Sequence, residues 1–134
     1  MNEVWQNQIP PQDIEAEQAV LGAIFLEADS IIDAMEIIEP QDFYRRSHQI
    51  IFQSMIQLND RNESIDLITL KAEIEKSNSL EDIGGFTYLT ELSQASPSAA
   101  SIAYYAKIVD DKATLRNLIQ TASRIVTKGF EQDE

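Results

Sequence analysis

Cysteine does not occur anywhere in the 134 residues. Its absence removes disulfides, thiolate nucleophiles and thiolate metal ligands together, so the fold is expected to be held by packing alone, in a reducing compartment. Histidine occurs once, as His48, and no HxxxH or ExxH spacing accompanies it. A histidine-based metal site or nucleophile–base pair therefore lacks its parts. Glycine and proline are scarce, at four each, and nothing resembles low complexity or a disordered tail. The longest nearly unbroken apolar stretch, residues 19–26, falls far short of the ~20 residues that a bilayer-spanning helix needs. The acidic N-terminal stretch also lacks the basic flank of a signal peptide, so a cytoplasmic protein is expected. Positive charge is the last shortage: ten Lys and Arg face 23 Asp and Glu, a net charge of -13. Such a balance repels a polyanion, and no tight DNA binding is expected.

What is present is a chain of one-domain size, 43% hydrophobic and 25% charged, able to build one sizeable core. Its charge is unevenly spread. Residues 1–44 hold ten acidic side chains and no Lys or Arg, whereas in residues 99–128 five basic side chains face only Asp110 and Asp111. Two readings stay open for the acidic front: a solvated face, or a field that steers a basic partner into contact.

The spacing of apolar residues is helical throughout, and the expected fold class is all-α. Residues 1–12, with Trp5, Ile9 and the Pro10, Pro11 pair, read as an extended arm anchored by Trp5. A helical globule of about five to six helices should fill residues 13–97. Asp13 is placed to cap its first helix, with Glu15 and Glu17 in the first turn and Ile14, Leu21, Ile24 and Phe25 along one face. Gly22 in mid-helix implies close approach of a neighbour. A second helix begins near Asp29 and presents Ile31, Ile32, Met35 and Ile38. A third, capped by Ser47, carries Ile51, Phe52, Met55 and Leu58, with Tyr44 read as a core residue beside a solvated Arg45, Arg46 pair. Asp66 caps a fourth, with Leu67, Leu70 and Ile74 inward and Lys71, Glu73, Glu75 and Lys76 outward. Gly84 and Gly85 close a short turn and supply a left-handed position. Phe86, Tyr88, Leu89 and Leu92 form a compact fifth element. Residues 98–134 hold a long helix over 99–128, about 45 Å at ~1.5 Å per residue, ended by Gly129. Ile102, Tyr105, Ala106 and Val109 make its core-facing stripe. Beyond them Ile108, Leu115, Leu118, Ala122 and Ile125 follow a seven-residue repeat, with Ile119 and Val126 on an adjacent face. Two apolar faces require two sets of neighbours.

A search for chemistry returns little. Gly84, Gly85 lacks the spacing and the Lys-Ser/Thr of a phosphate-binding loop, Glu15 and Glu17 leave a helix on different sides, and His48 reads as structural. No active site is visible, so no enzymatic activity, metal or cofactor is expected of this chain. A small hydrolase would need a site that the residues do not supply.

Five stretches in series carry a resemblance. They are Pro10, Pro11 followed by Glu15, Ala16, Glu17, Gln18, Ala19, Val20, Leu21, Gly22 and Ala23; Asp42, Phe43, Tyr44 with His48 and Ile51, Phe52; Ile65, Asp66 with Thr69, Leu70; Gly84, Gly85 with Tyr88, Leu89; and Tyr104 through Val109. Together, in order and over nearly the whole chain, they resemble the N-terminal domain of replicative DNA helicases of the DnaB family, of the Gram-positive type. The resemblance implies a ring-shaped hexamer that unwinds duplex DNA at the replication fork. ATP and Mg would belong to a separate C-terminal RecA-like domain. It also implies a helical globule plus a helical hairpin, with hairpins pairing into a trimer-of-dimers collar that receives the helicase-binding domain of primase. A helicase loader is a further partner it allows, and a membrane is not. The long helix would be the hairpin's first arm, with the chain stopping at Glu134 about where the second arm begins. Candidate contacts with partners or other subunits are therefore Leu115, Leu118, Ile119, Ala122, Ile125 and Val126, and, in residues 84–92, Tyr88. Intradomain packing is the competing reading for each. A helical adaptor or transcription-regulator dimerisation domain is the alternative function from composition alone.

Overall fold

A computed structural model describes residues 8–132, and among them every regular element is helical. Six α-helices follow one another: α1 (Ile14–Leu26), α2 (Ile31–Met35), α3 (Arg46–Asp60), α4 (Leu67–Glu75), α5 (Gly85–Leu92) and α6 (Ile102–Glu131). Short 3-10 turns at Ala28–Ser30, Pro40–Asp42, Glu81–Ile83 and Ala99–Ser101 join them. The expected anchor Trp5 lies outside the described residues. Residues 8–12 have no regular structure.

The molecule is built around α1. Asp13 starts it as expected, its carboxylate accepting the Ala16 amide at 3.0 Å. The single apolar face inferred from the spacing is too narrow, however: Ala16, Glu17, Val20, Leu21, Gly22, Ala23 and Ile24 are all buried. They reach round the helix because α3, α5 and α6 pack against it on different sides. Gly22 has the neighbour that its position demanded. A Cβ there would lie 2.8 Å from the Leu92 carbonyl oxygen and 2.9 Å from the Ser96 amide nitrogen, so only glycine lets the end of α5 come this close.

One face was assigned too generously. α2 is five residues long and inserts only Ile31 and Ala34, which turns Ile32 and Met35 outward at 48% and 36% exposure. On α5, Phe86 is exposed, with the Lys71 ammonium 5.9 Å from its ring centre.

At some helix ends the expected residue acts as its chemistry predicts, and at two it does not. Asp66 caps α4 by accepting the Ile68 and Thr69 amides, each at 2.9 Å, while the Thr69 hydroxyl accepts the Asp66 amide in return. Gly84 supplies the left-handed residue before α5 at φ 101°. The first exception is α3, where Ser47 does not cap. The helix begins at Arg46, and Arg45 makes no side-chain cap. The amides of Tyr44 and Arg45 instead donate to the Glu17 carboxylate from α1, at 2.7 and 3.4 Å. The second is Gly129, which lies inside α6. One exposed glycine costs about 1 kcal/mol, too little to break a long hydrogen-bond ladder, and the left-handed stop falls at Gln132.

Glu73, expected to face solvent, is buried to 8% exposure. Arg61 explains it: the guanidinium donates to both Glu73 oxygens, at 2.5 and 3.2 Å, and Lys76 adds a bond at 3.2 Å. The Arg61 bond above all holds the Glu73 carboxyl below the usual carboxylate range, with Lys76 lowering it further.

Candidate interaction surface

The proximal half of α6 completes the core through Ile102, Ala106, Val109 and Ala113. After Ala113 no described residue of the helix is buried. Leu115 is 44% exposed, Leu118 64%, Ile119 48% and Ile125 66%, and Ala122 is also open to solvent. Val126 is half-buried. The six candidate residues of the long helix thus share one projecting segment. Phe130, at 68% exposure, extends its apolar surface by another turn.

Arg116 sits where the helix leaves the globule. It occupies the next position on the buried stripe 102, 106, 109, 113, so its side chain points back towards the body. Its guanidinium donates to the Pro11 carbonyl at 2.8 Å and to the Asp42 carbonyl at 2.6 Å. It also lies 5.5 Å from the centre of the Tyr44 ring. Tyr44, expected in the core, is 39% exposed and forms one wall of this clamp. Between the arm, residues 41–44 and the helix runs an open cleft of about 900 Å³ lined by Ile9, Pro10, Tyr44, Asn117, Ile119 and Gln120 among others.

Tyr88, the remaining candidate, is half-buried on α5. Its hydroxyl ends a chain of polar contacts through the core. Glu17 and His48 are 1% and 0% exposed, and His48 Nδ1 lies 2.7 Å from Glu17 Oε1. The other ring nitrogen lies 2.6 Å from the Tyr88 oxygen, and the two rings are stacked at 5.9 Å. Gln18 and Arg45 donate to the same oxygen at 3.2 and 3.4 Å. Glu17, taken from the sequence as a first-turn surface charge, is therefore buried, and three elements meet at it. Burial without these partners would be prohibitive for an ionised carboxylate.

Sequence reasoning missed Glu17, Arg116 and the link from His48 to Tyr88. For Arg116 the continuing stripe was an available signal. For Glu17 and His48, 31 residues apart, no local spacing could have announced the pairing. No group of three or more acidic or histidine side chains is arranged to hold a metal ion among the described residues, and none of their helices is long and apolar enough to cross a membrane.

Residues 9–111 match the model of the DnaB-like helicase N-terminal domain. The chain belongs to this family. Across its whole length it is 50% identical to the replicative DNA helicase DnaB of Geobacillus stearothermophilus, of which it spans 30%. The DnaB N-terminal domain from Mycobacterium tuberculosis is 43% identical, with a TM-score of 0.89 over 91% of this chain and 85% of that one. A DnaB-like replicative helicase whose structure is described together with its interactions with primase is 30% identical. Its TM-score is 0.74 over 87% of this chain and 27% of that helicase. The all-helical globule and long final helix are thus those of the DnaB N-terminal domain.

Proposed function

We propose that this chain is the scaffold and primase-docking domain of a hexameric replicative DNA helicase acting in the cytoplasm at the replication fork. ATP and Mg would be used by a separate C-terminal RecA-like domain, and this domain would support ring assembly without chemistry of its own. The observation that carries the reading is the distal half of α6, with its ladder of exposed Leu115, Leu118, Ile119 and Ile125 and no buried residue. Water tolerates scattered apolar side chains, but a helix bare on two faces is stabilised by neighbours. Paired hairpins in a trimer-of-dimers collar would provide them. The half-exposed Tyr88 and the exposed Phe86 of α5 offer aromatic contact to the helicase-binding domain of primase. The acidic N-terminal third would speed encounter with a basic partner. A helicase loader is the further partner proposed.

Sedimentation and calorimetry test the proposal. The helicase carrying this domain should sediment as a hexamer and bind the primase helicase-binding domain, whereas Leu118→Ser with Ile125→Ser should yield smaller species. Hexamers unaffected by both changes would remove α6 from ring assembly, and absence of primase binding would remove the docking role. Nucleotide-dependent unwinding by the 134-residue chain itself would overturn the division of labour.

A further inference from the structure

The contact between Glu17, His48 and Tyr88 favours one assignment of hydrogens, in which each group of the cluster is paired within it. Glu17 receives two backbone donors, the Tyr44 amide at 2.7 Å and the Arg45 amide at 3.4 Å, as a carboxylate should. The third group facing it, His48 Nδ1 at 2.7 Å, then has to carry a proton. At the other end the Tyr88 oxygen faces three groups. The guanidinium of Arg45 can only donate, and the Gln18 amide nitrogen also donates. Those two bonds use the oxygen's acceptor capacity, so the Tyr88 proton is left to point at His48 Nε2, 2.6 Å away. Nε2 must then present a lone pair. A ring protonated on both nitrogens would instead turn three donors on the Tyr88 oxygen and leave the phenol proton outside the cluster.

We infer that Glu17 and His48 are positioning residues: they hold the imidazole as its Nδ1–H tautomer, whose Nε2 anchors the Tyr88 hydroxyl and so fixes α5 and the Arg45 guanidinium at one docking face. The inference rests on the docking role proposed above for Tyr88. Its energetic logic is preorganisation. A half-buried tyrosine free to change rotamer would have to be ordered when a partner binds, whereas one tied through the core to α1 and α3 is already in place. The stacked rings add a second restraint on its orientation.

Two measurements test it, one of them independent of any partner. In ¹⁵N spectra of the 134-residue chain at neutral pH, His48 should show a protonated Nδ1 and an unprotonated Nε2. The opposite tautomer, or a ring protonated on both nitrogens, overturns the assignment. The second measurement is calorimetric titration of the primase helicase-binding domain into the helicase carrying this domain. His48→Asn retains a donor for Glu17 and loses the Nε2 contact; Tyr88→Phe retains the ring and loses the hydroxyl. Each should weaken binding about tenfold, and the double variant should lose no more than either single one. His48→Gln, whose amide oxygen reaches towards the place of Nε2, should recover part of the loss. Unchanged affinity in both folded single variants, or losses that simply add, overturns the positioning role. Should His48→Asn fail to fold, Tyr88→Phe keeps the core side chains intact and decides the matter alone. No binding by the unaltered helicase removes the docking reading and the positioning role with it, while the ring nitrogens still judge the tautomer by themselves.

Discussion

α1 and the distal half of α6 are helices of similar length with opposite surroundings. α1 buries seven of its thirteen residues, glycine and a carboxylate included. The distal half of α6 buries none among the described residues. Tertiary contacts on several sides stabilise α1, whatever its local propensity. The outer turns of α6, rich in β-branched residues and holding a glycine, depend on continuity with the anchored first half and on whatever packs against them. One helix makes the fold, and the other is supported by it.

The sharpest way to break that contrast is truncation at matched positions. Leu21→Ala in α1 should cost about 3 kcal/mol in urea unfolding, because the side chain is fully buried and the cavity cannot collapse. Leu118→Ala in α6 should stay within about 0.5 kcal/mol in the same assay. Equal losses would erase the distinction. Next in size is Gly22→Ala, which should destabilise by about 2 kcal/mol because its Cβ meets backbone atoms that cannot step aside. Were α1 an ordinary exposed helix, the same change would stabilise it. Asp66→Ala tests a cap away from both helices and should cost about 1 kcal/mol, with the loss confined to α4 by hydrogen exchange. The smallest effect concerns acid. The Glu73 carboxyl is depressed in the folded state, so its contribution is complete above its ordinary value near 4.5 and is lost as pH falls through the depressed folded value. Glu73→Gln should flatten that part of the stability profile, read from melting temperatures between neutral and acid pH.

Much of the fold was legible because its signals are local. Asp13, Asp66 and Gly84 announce boundaries through the backbone groups that they satisfy, and the spacing of Ile51, Phe52, Met55 and Leu58 places α3 without knowledge of its neighbours. The errors occurred where a distant residue supplied what local chemistry lacked. Glu17 takes the Tyr44 and Arg45 amides that lead into α3, and Arg61 reaches across to make Glu73 buriable. Face width was misjudged for a related reason. The number of sides that a helix buries depends on how many neighbours surround it, and α1 has three where α2 relies on one edge. The bare segment of α6 was readable as a repeat with two apolar faces, but the Arg116 contacts beneath it join residues 74 and 105 positions apart.

Those contacts have a mechanical meaning. From Arg116 to Glu131 the helix runs on for about 22 Å at ~1.5 Å per residue. A sideways push on its tip would be resisted at the base by the two bonds of the guanidinium to backbone carbonyls and by the buried stripe before it. Any tilt at the base would be carried along these exposed turns as along a lever arm, its displacement growing with distance from Arg116.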